Sequence, residues 1–363
     1  MSAIESITEP AAQAQSAFTA QQPAVTVGII TYNGRKIIQP CIESLLAQTY
    51  QNISICVINN ASTDGTPEWV ADNYPDITIL NNPDNRGPNP ARNFAITSSS
   101  SNLVLLVDDD AILSENCLAE LVSAAQSHPE GAIWAPRIVY SDRRDTIQFE
   151  GAKMHYLAET ILVSSDTPIS EGLSEITQVP MLAGVTLLVS KQKAIDIGLL
   201  NEFYVFGKED GEFTYRLTQA GEKLYSVPSA ICYHRVKKRG LSKVFYQVRN
   251  RWLLLLTTFS LKTILLVAPA LLIYELSLIG FLLLKGQLPE YFRALFDLAT
   301  HFSTVLKQRQ QIQAFRQVPD QVLLQCDSIG MRGDLLENRA IATLKAALDT
   351  FFGLYWKLIR RFV

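Results

Sequence analysis

Three short apolar runs constrain the fold more than any other feature of the chain: Val25 to Ile30, Ile53 to Ile58 and Leu103 to Val107. They are rich in β-branched and aliphatic residues and lack the polar alternation of a half-exposed strand. Such runs suit strands buried on both faces of a parallel sheet. Helical patterns lie between them. Lys36 to Ala47 spaces Ile37, Ile38, Cys41, Leu45 and Leu46 along one helix face, and further helix starts fall at Thr66 to Ala71 and Pro90 to Ile96. Alternating strands and helices predict right-handed crossovers in a doubly wound α/β sheet. Ligands of such sheets bind beyond the carboxyl ends of the strands, so the residues after Ile30, Ile58 and Val107 matter most.

From about Gly131 the pattern changes to shorter strands and loops, including Ile147 to Val163, with another strand at Val185 to Val189. A chain of 363 residues exceeds what one core usually holds, which predicts a second region. Charged residues make up 18%, below the roughly 25% usual for soluble domains. The apolar excess is concentrated between Trp252 and Leu284, where only Lys262 and Glu275 carry charge. Thr263 to Leu284 is long enough to cross a hydrocarbon core of about 30 Å at about 1.5 Å per residue. Glu275 and Pro269 raise the cost of insertion, so a single span competes with an in-plane or re-entrant arrangement. Lys237, Lys238, Arg239, Lys243, Arg249 and Arg251 crowd the amino-terminal side, which by the positive-inside rule is cytoplasmic.

Residues 1–24 lack the basic start and apolar core of a signal peptide and read as a disordered leader. The expected organisation is this leader, an α/β domain at 25–240, a membrane-associated helical segment at 241–290 with its candidate span at 263–284, and amphipathic helices at 291–363. The basic, aromatic ending from Tyr355 to Val363 suits an anionic membrane face. A formal charge of −3 provides no global basic field, which argues against nucleic acid as a partner. The five cysteines, Cys41, Cys56, Cys117, Cys232 and Cys326, have no metal-ligand spacing and read as buried thiols in a reducing compartment.

Asp108, Asp109 and Asp110 follow directly on an apolar strand, at the mouth of the sheet. Three adjacent carboxylates repel one another and call for a counter-charge. Mg²⁺ or Mn²⁺ with a bound diphosphate supplies it, while a solvated turn capping the next helix is the plainer alternative. Glu209 and Asp210 stand beside Gly211 at a helix start, where one of them could act as a general base or both could simply favour the helix dipole. Thr31 and Asn33 after the first strand, and Asn59, Asn60 and Asp64 after the second, place polar groups for a base and ribose in loops that are polar in any case. His234, after a predicted strand, is a third metal ligand or a loop histidine.

Together these segments resemble family 2 glycosyltransferases, whose catalytic domain has the GT-A fold. The resemblance covers about Val25 to Arg235. It rests on VGIITYNGRKIIQPCIESLLAQTY at 27–50, VINNASTDGT at 57–66, NRGPNPARNFAI at 85–96, LLVDDDA at 105–111 and GKEDGEFTYRLTQAGEKLYSVPSAICYH at 207–234. It implies that Thr31, Asn59, Asn60 and Asp64 contact the donor nucleotide and that Arg92 faces it. It places Asp108 to Asp110 on the DXD-type motif, with Asp110 on the metal and Asp108 or Asp109 towards the ribose. Asp210 matches the general base of an inverting displacement, and His234 a histidine that approaches the metal or diphosphate. Many members carry an acid where this chain has Asn59, which leaves donor identity open. Gly211, Glu212 and Phe213 keep the pattern after the GluAsp pair, with Glu for Asp. Members with one catalytic domain followed by an apolar segment commonly build polysaccharide, lipopolysaccharide or glycolipid, so the expected partners are a nucleoside-diphosphate sugar, a glycan or lipid-linked acceptor and the membrane, at its cytoplasmic face. Three rivals are weighed against this. A dinucleotide oxidoreductase would carry GxGxxG where ThrTyrAsnGly stands. A processive synthase needs several spans. A catalytically inactive membrane-bound scaffold of the same fold would not need all three carboxylate motifs.

Overall fold

A computed structural model describes residues 22–236, 241–330 and 339–363. Residues 1–21 of the expected leader, and the basic residues Lys237, Lys238 and Arg239, lie outside the described residues.

The apolar runs form strands β1 (Val25–Thr31), β2 (Ile53–Asn59) and β4 (Leu103–Asp108), with β3 (Thr78–Asn81) at the edge. Every residue of β1 is buried, as expected of a strand covered on both faces. Helices α1 (Ile38–Leu46), α2 (Thr66–Asn73) and α3 (Pro88–Ser98) connect these strands. β1 pairs in parallel with both β2 and β4, and β2 in parallel with β3. This is the doubly wound α/β half that the sequence predicts.

The chain continues through β5 (Ala111–Leu113), α4 (Cys117–Ser127), β6 (Gly131–Tyr140), β7 (Ile147–Phe149), β8 (Ala152–His155), β9 (Thr160–Leu162), β10 (Thr177–Val179), β11 (Thr186–Ser190), α5 (Lys191–Asp196), α6 (Glu209–Gln219) and β12 (Lys223–His234), with β8 and β9 in a small separate sheet. The main sheet runs β10-β12-β6-β11-β4-β1-β2-β3, with β5 on β12 and β7 on β6. β11 is antiparallel to both β4 and β6, so the sheet is mixed. It is a GT-A-type α/β sheet.

The remaining helices are α7 (Val244–Thr258), α8 (Leu261–Leu284), α9 (Leu288–Thr300), α10 (Phe302–Phe315), the short α11 (Asp320–Leu323) and α12 (Arg339–Ile359), with strand β13 (Leu324–Gln325) between the last two. β13 pairs with β8, which stitches this part onto the α/β half. Both halves share one apolar cluster, in which Met154, Tyr156, Met181, Tyr204 and Tyr215 pack with residues of α7, α8 and α12. Two basic residues expected to signal topology are turned inward instead. Arg249 Nε donates to Asp297 Oδ2 at 2.6 Å, and Arg251, 1% exposed, pairs with Glu275. Burial of these cations is possible because carboxylates on α8 and α9 meet them. Four of the cysteines are buried and Cys326 is partly exposed; all five are free thiols.

Candidate active site

The carboxyl ends of β1, β4 and β12 open on one cleft of about 700 Å³. Thr31, Asn60, Arg92, Asp108, Asp109, Asp110, Glu209, Asp210 and His234 all line it. Nine predicted residues, drawn from five separated segments, therefore meet at the strand ends, where a doubly wound sheet places its ligand.

Asp108 is the last residue of β4, and Asp109 and Asp110 turn the chain into β5. Thr31 Oγ1 donates to Asp109 Oδ2 at 2.6 Å. Gly34 leaves room for that pair, since a Cβ there would stand 2.5 Å from the same Asp109 oxygen. Arg92, buried on α3, donates from Nη2 to Asp108 Oδ1 at 3.0 Å. Burial works against the Arg92 cation, but Asp108, Glu209 and Asp210 outweigh it and hold the guanidinium charged. Burial also lifts the Asp108 carboxyl above its ordinary range; Arg92 opposes this and Asp110 adds to it. Arg92 Nη1 is buried with no hydrogen-bond partner in the protein. A buried donor left open in this way beside the acids suits an anionic ligand.

His234 arrives from a distant part of the chain. β12 ends against β5, pairing His234 with Ala111, which sets Nε2 of the imidazole 3.5 Å from Asp110 Oδ1. The other ring nitrogen, Nδ1, is 2.8 Å from Gln148 Oε1. With Nδ1–H donated to Gln148, the Nε2 lone pair faces the Asp110 carboxylate. Two acceptors facing each other suit a cation between them, and carboxylate plus imidazole is a donor set that Mg²⁺ or Mn²⁺ accepts. Among the described residues no group of three or more His, Cys, Asp or Glu side chains is assembled as a metal site. Asp110 and His234 thus fit a divalent cation as two of its donors.

On the opposite wall, α6 opens with Glu209 and Asp210. Asp210 Oδ2 accepts the backbone N–H of Gly184, and Oδ1 accepts that of Gly211 at 2.9 Å. Gly184 matters because a Cβ there would lie 2.9 Å from Asp210 Cβ. Glu209 lies in the opposite environment. Its Oε2 is shut from solvent without a partner, and burial, with Asp210 beside it, pushes its carboxyl up to about 7. The third acid, Glu212, is fully buried and bonds Arg216 within α6 at 2.6 Å, so it serves the helix and not the cleft.

Three predicted donor-binding residues do not line the cleft. Asn59 spends its amide on Asn81 Oδ1 (2.8 Å) and the N–H of Ser62 (3.0 Å). Asn33 Oδ1 accepts from Thr63 N at 2.8 Å, and Asp64 Oδ2 from Arg35 N at 3.1 Å. These contacts knit the loops after β1 and β2 together. Asn60 also works within the loop, donating to Asn85 Oδ1 and Gly87 O at 2.9 Å each, but it stays at the cleft wall.

Sequence reasoning missed Gln148, Gly34, Gly184 and the α7 side of the cleft, where Lys243 and Tyr246 stand beside Phe206. Lys243 was visible only as one member of a basic cluster. Gln148 and Gly184 carry no local signal, since each matters through a partner 86 or 26 residues away.

Comparisons with known proteins bear on the family and the fold. The model of glycosyl transferase family 2 matches residues 26–170, and that of glycosyl transferase family group 2 matches residues 103–306. Glycosyltransferase GlyA of Streptococcus pneumoniae serotype 4 is 25% identical over 232 residues, covering 61% of this chain and 32% of that protein. The chain thus spans about a third of the length of the first curated relatives it matches. An N-acetylglucosaminyl-diphospho-decaprenol L-rhamnosyltransferase of Mycobacterium tuberculosis is 24% identical over 233 residues, 58% of this chain and 76% of that protein. Among solved structures, GalNAc-T7 with UDP, GalNAc and Mn²⁺ superposes with a TM-score of 0.56 at 18% identity, over 67% of this chain and 49% of that one, a likeness of fold. With the model of glycosyl transferase family group 2 covering more than half of its length, that of family 2 matching its first part, and the carboxylates of both motifs facing one cleft at the strand ends, this chain belongs to glycosyl transferase family group 2.

Proposed function

We propose that this chain transfers a glycosyl group from a nucleoside-diphosphate sugar to a hydroxyl of a glycan or lipid-linked acceptor at a membrane, with inversion at the anomeric carbon and with the help of a divalent cation. The observation that carries this reading is the single cleft shared by Asp108–Asp110, Arg92 and the Glu209–Asp210 pair. A relative that acts on a diphospho-decaprenol acceptor supports the lipid-linked class.

Asp108, Asp109 and Thr31 form the wall for the donor's nucleotide, with Asn60 at its edge. Asp110 and His234 would hold Mg²⁺ or Mn²⁺, whose chemistry is to neutralise the departing diphosphate. Arg92 lies between the two sets of acids and offers an unpaired N–H to the same negative charge. Asp210, fixed by two backbone N–H groups, takes the proton from the acceptor hydroxyl as its oxygen forms the new bond to the anomeric carbon. The bond from that carbon to the phosphate oxygen breaks, and the electron pair leaves with the nucleoside diphosphate. Positioning by the cleft walls accounts for much of the rate and general-base assistance for roughly 10²–10⁴-fold.

The test is a panel of UDP-, GDP- and dTDP-sugars offered with and without Mn²⁺ to the full chain and two variants. Asp210→Asn is expected to bind donor within about threefold of wild type and to lose at least about 10²-fold in turnover. Asp110→Ala is expected to abolish metal-dependent donor binding. Binding of no donor under any condition would leave the inactive-scaffold reading in its place.

A further inference from the structure

Helix α8 is the one helix among the described residues long and apolar enough to cross a bilayer. Its contacts describe a different disposition. At its start, Thr263 Oγ1 donates to Asp320 Oδ2 at 2.5 Å, and Ser260 N donates to the same oxygen at 2.8 Å. In its second turn, Leu266 O accepts from Tyr355 Oη of α12 at 2.8 Å. Further along, Tyr274 Oη donates to Glu159 Oε1 at 2.9 Å, and Glu275 is buried against Arg251 of α7 and Tyr291 Oη of α9, the latter at 2.6 Å. Near its end, Leu282 packs with Val244 and Val248 of α7. Polar partners thus meet α8 from Ser260 to Glu275: Glu159 from the α/β half, and Arg251, Tyr291, Asp320 and Tyr355 from the neighbouring helices. A helix of this length spans about 36 Å, and no stretch of it near the 30 Å of a hydrocarbon core is free of them.

The side of α8 turned away from the protein is uniformly apolar. Leu261, Leu265, Leu272, Leu276 and Leu283 are each at least 60% exposed. At 3.6 residues per turn they fall within an arc of about 60°. Val267, Ala270, Leu271 and Glu275 occupy the buried side. α12 lies beside it and exposes Leu344, Leu354 and Leu358. Exposed cations rim this surface: Lys262 and Lys285 at the ends of α8, and Lys357, Arg360 and Arg361 at the end of the chain. A leucine ridge with basic residues at its rim fits an anionic lipid surface.

We infer that α8 lies in the plane of the membrane, with its leucine ridge immersed in one leaflet, and does not cross it. This rests on the membrane-facing part of the proposed function and not on its chemistry. It also links the lipid-facing helix to the α6 side of the cleft, because Glu159, held by Tyr274 of α8, bonds Lys208 at 2.7 Å just ahead of Glu209 and Asp210.

The full chain carrying Cys326→Ser, with Lys262→Cys or Lys285→Cys added, is to be exposed in sealed membrane vesicles of both orientations to a membrane-impermeant maleimide. Labelling of both positions from the same side is expected; labelling from opposite sides means that α8 spans, and overturns the inference while leaving the glycosyltransferase reading intact. In a second arm, purified protein is sedimented with vesicles of phosphatidylcholine alone or with phosphatidylglycerol added. Stronger binding to the anionic vesicles is expected, weakened at least about tenfold in a Leu272→Asp/Leu276→Asp variant whose donor binding and unfolding midpoint match wild type. Absence of binding to either vesicle overturns the inference together with the membrane part of the proposed function.

Discussion

Glu209 and Asp210 are neighbours in sequence with opposite surroundings. Backbone N–H groups hold both oxygens of Asp210, whereas Glu209 is shut in and its carboxyl is pushed up to about 7. A folded-state value above the ordinary one means that Glu209 favours folding most at low pH, and that this contribution is lost as pH rises through about 7. Glu209→Gln removes the titration. In donor-free protein the variant is expected to be more stable than wild type at pH 8, by about 3 kcal/mol, with the difference shrinking towards pH 5; urea unfolding across that range checks it. Gln148 makes a second residue-scale prediction. Gln148→Leu leaves His234 Nδ1 without its acceptor, so the imidazole loses its fixed orientation. Apparent affinity for Mn²⁺ in donor binding is expected to fall about 10–100-fold, with the unfolding midpoint little changed.

At the scale of elements, α6 and α8 each depend on a contact that periodicity does not reveal. α6 is set by the approach of the Gly184 backbone to Asp210. Gly184→Ala puts a Cβ 2.9 Å from Asp210 Cβ, so the start of α6 must shift. Turnover is expected to drop at least about tenfold, with donor affinity nearly unchanged, since a small misplacement of the base costs rate before it costs binding. α8 is set by Arg251, which meets Glu275 and, at 3.4 Å, Glu159. Arg251→Ala leaves Glu275 without its cation in a buried setting, while Glu159 keeps Lys208, and is expected to cost about 3–5 kcal/mol in chemical denaturation; Arg251→Met combined with Glu275→Leu is expected to recover much of it. Strands β1, β2 and β4 and helices α1 to α3 are legible in the sequence because their burial pattern follows from one repeating unit. β8 and β9 are legible only as part of the stretch of short strands and loops at 147–163, and β13 not at all, because it is two residues long and its partner Met154 lies far back in the chain.

At the scale of the molecule, the helical region is a continuation of the catalytic core. Tyr156, fully buried, stacks on Trp356 at 4.9 Å between ring centres and donates through its hydroxyl to Phe352 O at 3.1 Å. Shared burial of this kind makes separate melting of the two halves unfavourable. Calorimetry of the full chain is expected to show one cooperative transition, and removal of residues 339–363 to lower its midpoint by several degrees, by exposing Tyr156 and its neighbours. Two resolved transitions would mean that the halves fold independently.

The sequence by itself determined the sheet, the strand ends where a ligand binds and the family motifs, because each is written in a local pattern: buried strand runs, helix spacing, and carboxylates directly after a strand or at a helix start. Only the tertiary structure decided which of those polar residues face the cleft. Asn33, Asn59 and Asp64 look like Asn60 in the sequence, yet their hydrogen bonds are taken up inside the loops. The structure also decided that Arg249 and Arg251 are buried ion-pair partners. Hydropathy registers the cost of removing a charge from water but is blind to a carboxylate dozens of residues away that meets it, and that pairing exists only once the chain has folded.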